Sequence, residues 1–171
     1  MKDRQKAILA EIPRLRRYAR SLMRDSDRAD DLVQDSLERA FRRMENWQTG
    51  ENPRRWLFTI MHNIFIDTVR KEQRRGEVIP ISEMDGSQVK SGAEQHEKLV
   101  ARDVLDALQQ IDPDRRAALT LVAVEGFSYA EAAGILDVPA GTLMSRIARG
   151  RDELRNLLGD PGRSRTIRVV E

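Results

Sequence analysis

Apolar residues return along this chain at helical intervals, and sustained strand-like alternation is absent. Ile8, Ile12, Leu15, Ala19 and Leu22 follow spacings of four, three, four and three, which predicts a helix over residues 5–23 with Pro13 interrupting it. Residues 25–27 break that helix. A second, capped by Ser26 or Asp27, carries Leu32, Val33, Leu37, Ala40, Phe41 and Met44 on its core side. Residues 45–51 read as a loop holding Trp47 and Gly50. Asn52 and Pro53 then supply the N-cap and first residue of a third helix, whose buried side is Trp56, Leu57, Ile60, Met61, Ile64, Phe65 and Thr68.

The period is lost over residues 76–97. GEVIPISEMDGSQVKSGAEQHE is rich in Gly and Ser and holds five acidic residues against one lysine, the composition of a flexible acidic linker between two compact units. Helical spacing resumes over residues 98–111 with Leu99, Val100, Val104, Leu105 and Leu108. Asp112 and Pro113 cap the next helix, which runs towards a stop at Gly126. Beyond Gly159 no period is visible, and residues 161–171 read as a loose tail.

FSYAEAAGILDVPAGTLMSRIARGRDELR, residues 127–155, joins two helices through a tight turn. Ser128 and Glu131 have the spacing of a capping box. Tyr129, Ala132, Ala133 and Leu136 give the first helix an alanine-rich side that a second helix can approach closely. Asp137 and Val138 form the turn and Pro139 opens the second helix, whose buried stripe is Leu143, Ile147, Leu154 and Leu158. Thr142, Ser145, Arg146 and Arg149 occupy another face near its start. That face fits the major groove and the pair reads as a DNA-binding helix-turn-helix; a plain amphipathic hairpin with a solvated basic face is the rival reading.

Two further faces are charged. Asp30, Asp31, Asp35 and Glu38 precede Arg39, Arg42 and Arg43 on the second helix, an order that complements the helix dipole and equally suits docking to a basic partner. On the third helix Asn63, Asp67, Arg70 and Arg74 lie along one side, and Lys71 and Arg75 add to the cations of its last turns. These cations either compensate the dipole or contact phosphates beside captured single-stranded bases.

Composition narrows the classes. Charged residues are 34% of the chain, apolar residues 40% and aromatic residues 5%. Leu, Ala, Arg and Glu dominate, so the expected fold is all-α: two small helical domains joined by a flexible acidic linker, the second containing the helix-turn-helix. The net charge of +2 hides its segregation into clusters. Without cysteine there is no disulfide, thiolate metal site or thiol nucleophile. His62 and His96 have no partner at ligand spacing, so no metal is expected, and no phosphate-binding glycine loop suggests an enzyme or a cofactor. The amino terminus lacks an apolar core and residues 117–124 are too short to span a bilayer. Neither membrane insertion nor a small-molecule substrate is expected, and the cytoplasm is the expected location.

The chain as a whole resembles the bacterial RNA polymerase sigma factors of the extracytoplasmic-function group. ADDLVQDSLERAFRRM, residues 29–44, is similar to the segment that docks on the polymerase clamp. NPRRWLFTIMHNIFIDTVRKEQRR, residues 52–75, resembles the segment that melts and reads the minus-ten element. The helix-turn-helix resembles the minus-thirty-five reader. The resemblance implies residues 1–75 as region 2, 76–97 as linker and 98–160 as region 4, with core polymerase, promoter DNA and an inhibitory anti-sigma factor as partners.

The same resemblance implies that Asp31, Leu32, Gln34, Asp35 and Glu38 face polymerase. It implies a loop around Trp47 and Gln48 that receives a flipped minus-ten base, with Asn63, Asp67, Arg70, Lys71 and Arg74 on the opened strand. Thr142, Met144, Ser145, Arg146 and Arg149 would contact the upstream element; Met144 stands where the family often has Lys or Arg, which replaces a polar contact by an apolar one to a thymine methyl. The alternative is a helix-turn-helix regulator that acts without polymerase, which leaves the basic third helix without a role.

Overall fold

The computed structural model describes residues 2–47, 52–76 and 92–159, the side chains of Asn46 and residues 92–99 excepted. Among these residues every regular element is helical. Two helices, α1 (Lys2–Ala10) and α2 (Ile12–Leu22), replace the single interrupted one that the periodicity predicts. The break falls at Glu11, which puts Pro13 in the first turn of α2, where its missing N–H has no helical carbonyl to lose.

Neither Ser26 nor Asp27 caps α3 (Ser26–Arg42). Asp25, with extended backbone, does so by accepting a hydrogen bond from the Arg28 N–H at 2.9 Å. A 3₁₀ turn over Met44–Asn46 follows. Asn52 caps α4 (Pro53–Arg75) as its sequence predicts, accepting from the Arg54 N–H at 3.0 Å. Gly76 closes α4 with a φ of 66°, the left-handed conformation that glycine adopts without a Cβ penalty.

The second unit opens with α5 (Gly92–Gln110), so residues 92–97 are helix where linker is expected. Residues 77–91 lie outside the described residues. Asp112 caps α6 (Pro113–Leu119) through the N–H groups of Asp114 and Arg115 at 3.1 and 3.3 Å, and a π turn over Thr120–Val124 continues it. The helix-turn-helix is α7 (Tyr129–Leu136) and α8 (Ala140–Leu158). Ser128 Oγ accepts from the Glu131 N–H at 3.2 Å while Glu131 Oε2 accepts from the Ser128 N–H at 2.9 Å, the reciprocal box that the spacing predicts. Asp137 turns the chain with a φ of 51°, and Pro139 stands just before α8 rather than inside it. Leu143 and Ile147 are buried under α8 and Leu154 partly so, but Leu158 stays 44% exposed, so the apolar stripe predicted for this helix fades towards its end.

Leu15, Tyr18 and Leu22 of α2 and Leu57, Phe58, Met61 and Phe65 of α4 form the centre of the first unit, with Leu32 of α3 beneath them. Ile111, Leu121, Ile135 and Leu143 centre the second. The two units are packed together as one apolar cluster. Phe127 meets Phe58 edge-on with centroids 5.0 Å apart, and Phe58 in turn lies 5.1 Å from Tyr18. Burying such a ring contributes roughly 2–3 kcal/mol. At the other end of α2, Gln109 Nε2 donates to the carbonyls of Ser21 and Met23 at 2.9 and 3.1 Å, and Arg116 Nη1 donates to that of Leu22 at 2.5 Å. The last carbonyls of α2, which have no partner within their own helix, are therefore satisfied by the second unit.

Candidate polymerase and nucleic-acid interface

The contact residues expected from the sequence fall mainly on three helices, α3, α4 and α8. On α3 the 3.6-residue period sends Leu32, Val33 and Ser36 inward and leaves Asp31, Gln34, Asp35 and Glu38 exposed. Ser36 Oγ donates to the Leu32 carbonyl at 2.6 Å, which removes its hydroxyl from the surface. Leu32, only 3% exposed, packs under this face and does not belong to it, a correction to its expected contact with polymerase. Glu38 pairs with Arg42 at 2.5 Å, an exposed contact worth a few tenths of a kcal/mol. Arg28 binds Glu72 and so holds α3 against α4.

On α4, Asn63, Asp67, Arg70 and Arg74 are exposed along one side, as their spacing predicts, and Lys71 is exposed beside them. Trp47 is different. Its ring is 9% exposed, stacked on Trp56 at 5.8 Å and 11°, with the Arg4 guanidinium 5.9 Å from its centroid. A ring so covered offers a flipped base no open platform in this arrangement. Gln48 lies outside the described residues.

On α8, Thr142, Met144, Ser145 and Arg149 are exposed, Met144 to 51%. Arg146 is drawn back. Its Nη2 donates to Asp114 Oδ2 of α6 at 2.8 Å, and its side chain is only 24% exposed. The five expected contact residues are thus on one end of α8, four of them open to solvent and one tied down.

Sequence reasoning missed the charged groups that join the units. Glu125, its side chain fully buried, receives Arg17 Nε at 2.7 Å and Nη2 at 2.9 Å, with Arg54 Nη2 3.6 Å away. Arg54 also donates to the Glu125 carbonyl and stands 4.2 Å over the Phe127 ring. Gly126, with a φ of 70°, turns the chain sharply between the two anchors. A second approach brings Arg55 of α4 against Gly134 of α7, where any side chain would collide with the guanidinium. One signal was present: Arg54 and Arg55 stand in the first turn of α4, where the dipole disfavours cations, so a carboxylate elsewhere must compensate.

Burial and two nearby cations act together on His62. It is 4% exposed on α4, its Nδ1 has no hydrogen-bond partner among the described residues, and Arg146 and Arg70 are close enough to disfavour a further positive charge. Burial first, then Arg146 and Arg70, lower its pKa to about 4, so the ring is neutral near pH 7. Arg116 responds likewise: burial and Arg24 bring it down to about 10, still cationic at neutral pH. Its guanidinium is held by carbonyls and by Gln109 Oε1 at 2.5 Å.

Among the described residues no helix is long and apolar enough to cross a membrane. Residues 8–62 match the family described as the Sigma2 domain of PhyR, and residues 101–154 match Sigma-70, region 4. The ECF RNA polymerase sigma factor EcfG of Rhodopseudomonas palustris is 40% identical over 171 residues, covering 95% of this chain and 92% of the relative. SigE of Mycolicibacterium smegmatis, also an ECF RNA polymerase sigma factor, is 37% identical over 148 residues, 85% of this chain and 57% of the relative. A solved structure of the sigma factor RpoE in complex with the anti-sigma factor NepR from Bartonella quintana superposes with a TM-score of 0.76 at 36% identity, covering 92% of this chain and 98% of that one. With both sigma regions matched in order and the full-length relative this similar, the chain belongs to the extracytoplasmic-function family of RNA polymerase sigma factors.

Proposed function

We propose that Asp31, Gln34, Asp35 and Glu38 dock the chain on core RNA polymerase, that the Asn63–Asp67–Arg70–Lys71–Arg74 side of α4 holds the opened minus-ten strand, and that the start of α8 reads the minus-thirty-five element. In this reading residues 1–75 and 98–160 are the two functional regions. The chain acts in the cytoplasm as a specificity subunit with no catalysis of its own. Its likeness to the sigma factor solved with NepR supports control by an anti-sigma factor.

The observation that carries the reading is the exposure of an acidic helix face and two cationic helix faces on two units joined by a long connection. Cations on α4 and α8 give each unit a weak, salt-sensitive hold on phosphates. Two weak readers on one platform become selective together, since binding of the first raises the local concentration of the second.

The closed packing of the units sets a condition on this activity. Elements centred near minus ten and minus thirty-five lie about 25 base pairs apart, roughly 85 Å at about 3.4 Å per base pair of B-DNA, yet α4 touches α7 and Arg146 lies near His62. Both elements cannot be read at once in this arrangement. The chain between Gly76 and Gly92 reaches roughly 55 Å when extended, enough, with the breadth of the units themselves, to span the elements. The closed form is the resting form, and opening accompanies assembly on polymerase and promoter.

Transcription in vitro with core polymerase, this chain and a pool of genomic fragments tests the function. Discrete starts that share two upstream elements at one spacing are expected. Specific binding to a palindrome in the absence of polymerase, with no such starts, would favour the ordinary helix-turn-helix regulator.

A further inference from the structure

Arg146 and Arg149 stand one turn apart on α8 and differ in freedom. Arg149 is exposed and has no hydrogen bond or ion pair among the described residues, whereas Arg146 is half-buried with Nη2 on Asp114 Oδ2 at 2.8 Å. Asp114 is itself well fixed. It occupies the first turn of α6, where its charge complements the dipole, and its N–H is bonded to the Asp112 cap at 3.1 Å.

The α6–α8 contact does not need this ion pair to hold together. Leu119 and Arg115 pack directly on Gly150, where a Cβ would come to 2.8 Å from Leu119 Cδ1, and Arg115 binds Glu153 one turn further along. Packing on Gly150 sets the pose of α8, and the partly exposed Arg115–Glu153 pair adds little to it. The Asp114 carboxylate is left to act on Arg146 alone.

We propose that Asp114 is a positioning residue that sharpens recognition of the upstream promoter element, holding the Arg146 guanidinium in one orientation and withholding its charge from indiscriminate phosphate contact. The proposal rests on the reading of α8 as the minus-thirty-five reader. A loose arginine on a helix binds any phosphate it reaches; one tethered through a single nitrogen keeps its remaining donors in a fixed fork, and a fixed fork matches only some base edges. The carboxylate, 43% exposed, also repels phosphates that approach out of register. Specificity built this way combines a preorganised attraction with a repulsion against wrong partners.

The test uses holoenzyme assembled from the full chain and core polymerase, bound to a promoter pool randomised across the upstream element and sequenced after selection. Binding to a promoterless duplex is measured alongside over a salt series. Asp114→Asn is expected to lower the enrichment of preferred over random upstream elements about fivefold, to tighten binding to the promoterless duplex, and to steepen the salt slope by up to about one unit. Asp114→Glu should recover most of the enrichment. In an Arg146→Ala background Asp114→Asn should lower enrichment no further, the signature of residues acting through one another, and should move only the promoterless-duplex binding that the carboxylate repels directly.

Glu153→Gln, which removes the neighbouring ion pair, should leave enrichment as it is. An equal loss in Glu153→Gln and Asp114→Asn would reduce Asp114 to a strut between helices and overturn the proposal. So would an unchanged enrichment in Asp114→Asn, or an Arg146→Ala variant that selects normally while Arg149→Ala does not. If neither Arg146→Ala nor Arg149→Ala alters selection, the reading of α8 itself fails, an outcome separate from failure of the role of Asp114.

Discussion

Arg17 and Glu125, 108 residues apart in the chain, meet as a paired-fork ion pair with N–O distances of 2.7 and 2.9 Å. Glu125 is buried and Arg17 is half exposed, so the contact exists only while the two units are closed around it. Removing a carboxylate from water is costly, and the attraction of two arginines roughly offsets that cost without a large surplus. When the units part, all three groups recover their hydration. A charged latch of this kind specifies the closed geometry yet remains reversible, unlike an equal area of apolar surface.

Glu125→Gln keeps the shape and removes the charge that Arg17 and Arg54 share. The closed form is expected to lose about 1–3 kcal/mol, below the range for fully buried pairs because Arg17 can rehydrate. Size-exclusion chromatography should give a larger hydrodynamic radius, and trypsin should cut between the two units faster than in the native chain. An unchanged radius and cleavage rate would remove Glu125 from the closure.

Asp35→Arg reverses a charge at the middle of the exposed face of α3. The fold should hold, since exposed substitutions usually shift stability by no more than about 0.5 kcal/mol. Affinity for core polymerase should fall by roughly tenfold or more, a loss of about 1.4 kcal/mol. Co-elution with core polymerase at the native concentration would refute the docking assignment.

Arg149→Ala removes an exposed, unrestrained cation from α8. Promoter affinity should drop, and the slope of log K against log salt should shrink by about one unit. A slope identical to the native one would mean that Arg149 makes no phosphate contact.

His62 makes stability depend on pH. Its folded pKa of about 4 lies below the ordinary 6.5, so between those values the unfolded chain binds a proton that the folded chain refuses. Stability therefore falls as pH drops through that window, and the contribution is intact above it. Urea unfolding at pH 7 and pH 4.5 should show the native chain losing about 2 kcal/mol more than His62→Gln. Parallel losses in the two proteins would contradict a buried neutral imidazole.

Features that depend on neighbouring residues were legible in the sequence. The Ser128–Glu131 box, the Asn52–Pro53 start of α4 and the exposed faces of α3 and α4 all follow from local hydrogen bonding and a 3.6-residue period. Asp25 was overlooked as the cap of α3 because Ser26 and Asp27 are equally able caps by composition, and only the backbone angles choose among the three. Long-range burial was not legible. Trp47 resembles a base receiver in sequence, yet Trp56 and Arg4 cover it; Arg146 resembles Arg149, yet Asp114 claims it. Glu125 stands alone between apolar segments, and nothing near it in the chain announces Arg17 or Arg54.

The central claim is that the chain rests closed and opens to read two promoter elements. Because the native sequence has no cysteine, single dyes can be placed through Asp27→Cys on α3 and Asn156→Cys on α8, both exposed and both outside the proposed contacts. Energy transfer between them should report one short distance in the free chain, a longer one once core polymerase and promoter are added, and an intermediate, broadened distribution for Glu125→Gln. A short distance that persists in an actively transcribing complex, or a free chain already at the long distance, would contradict the account.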